Sequence, residues 1–379
     1  MKALYWRNRT ISSPQLVIIA LLSLLGLLWL ESRPIEEKSE LHGPKLEAAQ
    51  LAAKGFQAVH LERVRLAVSL DPKTDPAGSG LIGTSHSPIV SNKGHLLAKQ
   101  TSINPNFAAV IIEMLDEAGV ERGDPVAANL TGSFPALNIA VYAALEVMEV
   151  EPLVVSSVAA SEYGATHPDL TWLDMERVLF ERKLVSFRSV AASMGGVLDV
   201  AENHSPEGRE ALLEAIRRND RPPLQPSSFE DAVQARLDLY DELTGGEDIA
   251  AFINVGGGTA SVGTAQDKAD FRPGLNQKLP FGLENASVMR TFLERGVPVV
   301  HLSHVETLAR RFDLPQTPGS LPTPGEGGVF RKTSIPAPAI AVLILLILGA
   351  LLAAARYDMA TVFSRATVHK GSGDSEPMV

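Results

Sequence analysis

The residues whose types and spacing best suit chemistry lie in a short polar turn near the middle of the chain: Thr131, Gly132 and Ser133. The turn follows residues 126–130, an apolar run of strand length, and precedes residues 136–146, which are rich in helix formers. Between a strand and a helix, the two hydroxyls would lie beside the unpaired N–H groups of the helix N-terminus. Such a place can receive an anion or present a nucleophile, although Ser133 could equally serve as a helix cap.

A second candidate is the glycine-rich run of Gly256, Gly257 and Gly258 with Thr259, which follows the apolar residues 249–255. A strand that leads into such a run is typical of loops that bind phosphate through backbone N–H groups. The run lacks the lysine of a Walker loop and the spacing of a dinucleotide-binding loop. Two interpretations stay open: a nucleotide- or phosphate-binding regulator, and a turn without a ligand.

Two histidines stand near acidic residues and are candidate bases for Ser133: His167, with Asp169 nearby, and His204, near Glu202. Such pairs can transfer protons or bind a metal ion, but isolated histidines beside acids are also common on protein surfaces. The chain has no cysteine, which removes disulfides and thiolate zinc sites from consideration. We predict no metal site and no cofactor.

Residues 80–106 form a long polar segment that is more basic than the rest of the chain and includes Lys99 and Thr101. A loop of this length inside a domain is usually functional or disordered, and its scattered apolar residues argue against disorder. We expect the segment to cover the carboxyl edge of a sheet and to bring Lys99 and Thr101 close to Ser133, forming one anion-binding cleft. The alternative is a segment that only covers the sheet edge.

Apolar runs of strand length alternate with helical patterns through most of the chain. The predicted strands are residues 126–130, 153–158, 196–201, 249–255 and 297–302. This alternation predicts an α/β fold, with a mostly parallel sheet and helices on both faces. In that architecture ligands bind beyond the carboxyl ends of the strands, which is where the polar turns lie.

Two apolar blocks without charged residues, 11–30 and 335–355, are each long enough to cross a bilayer core of roughly 30 Å as a helix. We predict two transmembrane helices that flank the α/β domain, one at each end. The first block could instead be a signal peptide, and the second a buried core helix. The basic residues around the spans favour an extracytoplasmic domain by a small margin.

The resulting organisation has seven parts. They are a basic flank (1–10), a transmembrane helix (11–30), a helical stalk (31–70), the α/β domain (71–314), a Pro/Gly tether (315–334), a second transmembrane helix (335–355) and a polar tail (356–379). The formal net charge is −10, and because the two terminal segments are basic or neutral, the acidic excess lies between them. A domain this acidic is a poor partner for nucleic acid.

Four stretches between the apolar blocks carry a resemblance to a known family: GLIG (80–83), AKQTSINPNFAA (98–109), AGV (118–120) and LTGSFPALN (130–138). With the two terminal spans, this arrangement resembles the bacterial poly-gamma-glutamate system proteins, which are membrane proteins encoded beside the poly-gamma-glutamate synthase. The resemblance implies an integral protein of the bacterial cytoplasmic membrane. Its implied partners are the membrane proteins of the synthase complex and the polymer itself. The family brings no catalytic residues to carry over.

The resemblance therefore predicts a membrane-anchored accessory component of a poly-gamma-glutamate synthesis or export system, without an assigned reaction. An alternative is a hydrolase or transferase that acts on gamma-glutamyl polymer with Ser133 at its site. Because the polymer is a polyanion, an acidic domain repels it at long range. Contact with polymer is expected at the locally basic Lys93, His95 and Lys99 and at the helix N-terminus after Ser133, since salt screens charges beyond about 8 Å.

Overall fold

The computed structural model describes residue 11 and residues 13–33, 35–263, 267–282 and 285–356. These residues divide into two compact units. The described parts of Met1–Glu37 and Lys332–Val379 form the smaller unit, and those of Lys38–Arg331 form the larger one. The predicted basic flank, 1–10, and all of the predicted polar tail beyond residue 356 lie outside the described residues.

The helices and strands of the described residues are numbered along the chain. The helices are α1 (Ser13–Glu31), α2 (His42–Arg65), α3 (Leu96–Ser102), α4 (Phe107–Glu117), α5 (Pro135–Met148), α6 (Trp172–Glu181), α7 (Pro206–Arg218), α8 (Phe229–Leu243), α9 (Thr259–Val262), α10 (Asp267–Asp270), α11 (Val288–Glu294), α12 (Val305–Arg311) and α13 (Ala337–Arg356). The strands are β1 (Ile35–Lys38), β2 (Pro125–Thr131), β3 (Glu151–Ser157), β4 (Ala191–Ser193), β5 (Pro223–Leu224), β6 (Ala251–Val255), β7 (Gly274–Asn276), β8 (Val299–Leu302) and β9 (Arg331–Ser334).

The smaller unit contains α1 and α13 together with most of a two-stranded sheet formed by β1 and β9. The two helices pack against each other, and at Gly26 of α1 an added Cβ atom would lie only 2.6 Å from Leu343 Cδ1 of α13. A small residue at such a contact lets two helices approach closely. Both helices are long and apolar enough, by length and composition, to cross a membrane.

The larger unit is built on a seven-stranded sheet with the order β5-β4-β3-β2-β6-β8-β7. Every pairing is parallel except that of β7 with β8. The central strands β2, β3, β6 and β8 are buried along most of their length, which explains why their sequences are continuous apolar runs. The predicted α/β class with a mostly parallel sheet is confirmed.

Each face of the sheet carries its own apolar core, because successive residues of a strand point to opposite faces. Ala128 and Leu130 of β2 belong to the core that the sheet shares with α2, α4 and α5. Ala127, which precedes Ala128, belongs to the core shared with α8 and α11. Helices therefore cover both faces, and the carboxyl edge is the part of the sheet that polar turns can occupy.

The predicted strand at residues 196–201 is wrong. The strand at this place in the sheet is β4, and residues 196–201 form tight turns in which Asp199 and Ala201 have positive φ. Asp199 accounts for the difference, because its buried carboxylate accepts a hydrogen bond from Ser193 and forms an ion pair with Arg236. These contacts hold the segment as a turn beyond the end of β4.

Two segments that the sequence placed outside the α/β domain contribute to the larger unit. Helix α2, within the predicted stalk of residues 31–70, packs against α4 and α5 through an apolar face that includes the buried Phe56. In the predicted tether of residues 315–334, the Thr317 N–H donates a hydrogen bond to Thr101 Oγ1. Helix α2 thus packs on the core of the larger unit, and Thr317 of the predicted tether contacts the same unit.

Candidate functional site

The order of the strands reverses between β2 and β6. From β2 the chain passes outward through β3, β4 and β5, and then returns to form β6 on the other side of β2. In open α/β sheets, the crevice at such a reversal, beyond the carboxyl ends of the strands, is where ligands bind. A cavity of about 360 Å³ lies at this place, lined by the segments that follow β2, β3, β4 and β6 and by the segment that leads into α3.

Most of the anion-binding candidates from the sequence line this cavity. They are Lys99, Thr131, Ser133, Gly257, Gly258 and Thr259. Gly256 is part of the second turn, and its φ is +85°, a value that favours glycine. A Cβ atom there would lie 2.7 Å from Thr131 Oγ1. The two turns, which are separate candidates in the sequence, are therefore in contact at one site.

The turn after β2 is packed too tightly for any side chain at Gly132. An added Cβ atom would lie 2.5 Å from the carbonyl oxygen of Val158 and 3.2 Å from that of Ala159. Next to Gly132, Ser133 Oγ accepts a hydrogen bond from the Ser161 N–H at 3.0 Å. These contacts fasten the turn after β2 to the segment after β3.

Replacing Gly132 by alanine should destabilise the larger unit by about 1–3 kcal/mol, because the clashing Val158 carbonyl is backbone and moves only with the segment after β3. The measurement is chemical denaturation of the full chain in detergent micelles. Gly43→Ala is the matched control, since no atom lies within 4 Å of the added methyl group in the first turn of α2. Equal free energies of unfolding for the two variants would contradict the rigidity of this turn.

Lys99, on α3, lines the cavity and is only 2% exposed. Its Nζ donates hydrogen bonds to the Ser133 carbonyl oxygen and to Ser161 Oγ, the latter at 2.8 Å. It also lies 3.7 Å from the centroid of the Phe134 ring, a cation–π contact. The expected proximity of Lys99 to the Ser133 turn is therefore present.

Burial lowers the pKa of Lys99 to about 7, because removal from water disfavours the charged amine. Near neutral pH the amine is therefore divided between its charged and neutral forms. The charged form attracts an anion, and the neutral form can accept a proton. Lys99 is therefore suited to either task. A pKa this low is unusual among lysines in general and is typical of lysines at functional sites.

Asp199 is a residue of the cavity wall that the sequence did not identify. It is 5% exposed, accepts hydrogen bonds from Ser157 Oγ at 3.3 Å and Ser193 Oγ at 2.8 Å, and lies 2.7 Å from an Arg236 nitrogen. The feature of the sequence that could have identified Asp199 is its position as an acidic residue within the otherwise apolar residues 196–201. Because Arg236 compensates its charge, Asp199 shapes the wall without making the cavity acidic.

Three other candidates lie away from the cavity lining. His167 is a half-exposed residue with Nδ1 4.0 Å from Asp169 Oδ2, and His204 is buried outside the lining, where desolvation lowers its pKa. Thr101, expected beside Lys99 in the cleft, points elsewhere, because its Oγ1 donates to the Leu97 carbonyl oxygen. Neither histidine is placed to act as a base for Ser133.

The charged side chains of the cavity are mostly basic, although the chain is acidic overall. Lys93, His95 and Lys99 line it, and the acidic residue among the lining is Asp199, which Arg236 neutralises. His95 Nδ1 lies 3.0 Å from a carboxylate oxygen of Glu306. The local charge therefore favours an anionic ligand at close range.

Within the ranges that the structure describes, no group of three or more His, Asp or Glu side chains is arranged to hold a metal ion. Comparisons of the chain with family models, with curated proteins and with solved structures found no match.

Proposed function

We propose that this chain is a membrane-anchored component of a poly-gamma-glutamate synthesis or export system, and that its larger unit binds a carboxylate-bearing chain at the reversal point of the sheet. The observation that carries the proposal is the position of Lys99, a buried amine that lines a cavity with basic walls. The resemblance described above supplies the identity of the polymer. The geometry of the cavity supports it as the place where we propose that carboxylates or carbonyl groups of the polymer bind.

The size of the cavity limits what can enter. At about 360 Å³ it is near the lower end of the range for small-molecule sites, so it admits a short segment or an end of a polymer rather than a folded chain. The hydroxyls of Ser133, Ser161 and Thr259 line it as potential hydrogen-bond donors. A carboxylate accepts several hydrogen bonds at once and suits such a lining.

The two apolar helices provide the anchor in this proposal. If α1 and α13 both cross the bilayer, the two chain ends lie on one side and the larger unit on the other. We place the larger unit outside the cytoplasm, on the basis of the small excess of basic residues beside the chain ends. Cysteine accessibility tests this placement directly, since the chain has no cysteine of its own: a thiol at Ser227, exposed on the larger unit, should react with an impermeant maleimide in intact cells.

The binding proposal is tested by calorimetric titration of the full chain in detergent micelles with a short gamma-glutamyl oligomer. Lys99→Met should weaken binding at pH 6.5 by at least about tenfold, because it removes the amine that lines the cavity. The matched control is Lys54→Met, which makes the same charge change at an exposed position of α2. Equal affinity of the two variants would contradict the proposal. Preferential binding of a nucleotide or inorganic phosphate would favour the phosphate-binding alternative through Gly257 and Gly258.

Binding of the oligomer should strengthen as the pH falls from 8 to 6. The carboxylates of the ligand stay ionised over this range, whereas Lys99, whose pKa burial lowers to about 7, gains its charge on going below that value. As the pH falls toward 7, the affinity should rise by up to about tenfold for each pH unit. Calorimetry at three pH values measures it. A pH dependence that persists in Lys99→Met would assign the effect to another group and would contradict this prediction.

A further inference from the structure

We propose that Ser161 is a nucleophile and Lys99 its general base, and that together they cleave or transfer an acyl group at an amide bond of a carboxylate-bearing chain. The inference rests on the proposed function for the class of ligand. The inference goes beyond the proposed function because it assigns a reaction and places the reacting oxygen on Ser161 rather than on Ser133.

The geometry of the pair is that of an activated serine. Ser161 Oγ lies 2.8 Å from Lys99 Nζ, and both side chains line the cavity. Lys99 lies on α3, and Ser161 lies in the segment after β3, where its N–H donates a hydrogen bond to Ser133 Oγ at 3.0 Å. A nucleophile and a base within hydrogen-bond reach are the minimal arrangement for nucleophilic catalysis by a serine.

Lys99 differs in one respect from the other deeply buried lysine of the described residues. Lys45 forms an ion pair with Glu113, whereas no carboxylate of the described residues lies within ion-pair distance of Lys99. The groups that contact the Lys99 amine are the Ser133 carbonyl, the Ser161 hydroxyl and the face of the Phe134 ring. An amine without a compensating carboxylate can exist in its neutral form, which is the form a base requires.

The lowered pKa of Lys99, about 7, agrees with this role, because it leaves a large neutral fraction at neutral pH. The other charged groups around the same cavity are Lys93, His95 and the Asp199–Arg236 ion pair. Burial of Lys99 is the cause of the lowered pKa, and the ion pair has no net charge with which to restore it.

Ser133 supports the reaction rather than performing it. Lys99 contacts its carbonyl oxygen and not its hydroxyl, so Ser133 Oγ has no base. That hydroxyl accepts a hydrogen bond from the Ser161 N–H at 3.0 Å and donates none to an acceptor among the described residues. Its hydrogen is thus available beside Ser161 for the negative oxygen that develops on an attacked carbonyl group.

Water is the one co-reactant that the proposed reaction requires. The Ser161 hydroxyl proton moves to Lys99 Nζ as Oγ bonds to the acyl carbon, and the carbonyl oxygen becomes negative beside Ser133. The C–N bond then breaks, and Lys99 returns the proton to the leaving nitrogen, which departs as an amine. A water molecule attacks the resulting ester, Lys99 accepts its proton, and Ser161 recovers a proton as the ester bond breaks. The net change is amide plus water to carboxylic acid plus amine, which at neutral pH are a carboxylate and an ammonium ion.

The first test uses the full chain in detergent micelles with a fluorophosphonate probe, which forms an Oγ–P bond and releases fluoride. Peptide mass spectrometry should find the adduct on Ser161. Ser161→Ala and Lys99→Met should each lower the labelling rate by at least about 10²-fold, whereas Ser227→Ala, at an exposed serine, should not change it. Labelling that is absent from Ser161, or unaffected by Lys99→Met, overturns the assignment.

A second test distinguishes loss of reactivity from loss of folding. Ser161→Cys places a single thiol in a chain that has no other cysteine, so alkylation reports on that position alone. Its rate should fall when Lys99→Met is added, because the lysine promotes the thiolate. An unchanged rate contradicts activation by Lys99.

The third measurement is hydrolysis of a gamma-glutamyl anilide, with a rate that should rise with pH through about 7 as Lys99 becomes neutral. Ser133→Ala should reduce this rate by about 10–10³-fold without preventing adduct formation at Ser161. If calorimetry shows oligomer binding but neither adduct nor hydrolysis occurs, this inference fails and the binding proposal stands. If the oligomer does not bind, the proposed function fails, whatever the probe labels.

Discussion

Replacing Arg236 by methionine should lower the free energy of unfolding of the larger unit by about 3–5 kcal/mol, because it leaves a buried carboxylate without its partner. Arg236 is 2% exposed, and Asp199 is 5% exposed. The guanidinium lies 2.7 Å from Asp199 Oδ2, and it also donates hydrogen bonds to Ser193 Oγ and the Ala232 carbonyl oxygen. The variant loses all of these contacts at once.

The matched control is Arg295→Met. Arg295 also pairs with an aspartate, Asp241, at 2.7 Å, but both side chains are partly exposed, so its loss should cost less than about 1 kcal/mol. Denaturant unfolding of the full chain in detergent micelles measures both variants. Adding Asp199→Asn to Arg236→Met should recover part of the loss, since it removes the unpaired charge. Similar losses for the two arginine variants would contradict the importance of burial for this pair.

Replacing Trp172 by alanine should also cost about 3–5 kcal/mol, because it empties a large volume in the core between the sheet and α5. Trp172 is fully buried, and its Nε1–H donates a hydrogen bond to Ser156 Oγ at 3.0 Å. Its ring packs edge-on against Tyr142, with 5.4 Å between the centroids. The variant therefore creates a cavity and also leaves the Ser156 hydroxyl without this donor.

Thermal unfolding followed by circular dichroism measures the loss in Trp172→Ala. Phe281→Ala is the control, because Phe281 is fully exposed and its removal should change stability by less than about 0.5 kcal/mol. Trp172→Phe should fall between the two, since it keeps most of the volume and loses the hydrogen bond. A Trp172→Ala variant as stable as Phe281→Ala would show that the core relaxes to fill the space.

The sequence predicted correctly the strands whose burial produces a continuous run of apolar residues. Strands β2, β3, β6 and β8 are covered on both faces, so each appears as an uninterrupted apolar run. Strand β4 has three residues, and residues 196–201, which match a strand better, are held in turns by Asp199 and its partners. An ion pair with an arginine from a distant helix leaves no local pattern, so the error could not be seen from the sequence.

The candidate site was predicted in parts but not as a whole. The turns at Ser133 and Gly257 were each recognisable as a strand followed by polar or glycine residues. Their meeting depends on the strand order, which places β2 beside β6 although many residues separate them. The contact of Lys99 with Ser161 depends in the same way on how α3 lies over the sheet edge. Sequence patterns describe neighbours along the chain, whereas this site is formed by neighbours across the sheet.

Thr101 shows why the sequence could not choose between residues only two positions apart. Lys99 and Thr101 both lie on the short helix α3, which the sequence presented as an irregular loop. In a helix, positions separated by two residues face different directions. Lys99 therefore enters the cavity, and Thr101 turns toward the backbone of Leu97 and Thr317.

A crystal structure of the full chain with a short gamma-glutamyl oligomer bound would show directly whether this cavity is the ligand site. We predict that the oligomer occupies the cavity at the ends of β2, β3 and β6. A carboxylate or carbonyl oxygen should contact Lys99 or Ser161, and another part of the ligand should lie beside Gly257 and Gly258. An oligomer bound at any other surface, with this cavity left unfilled, would contradict it.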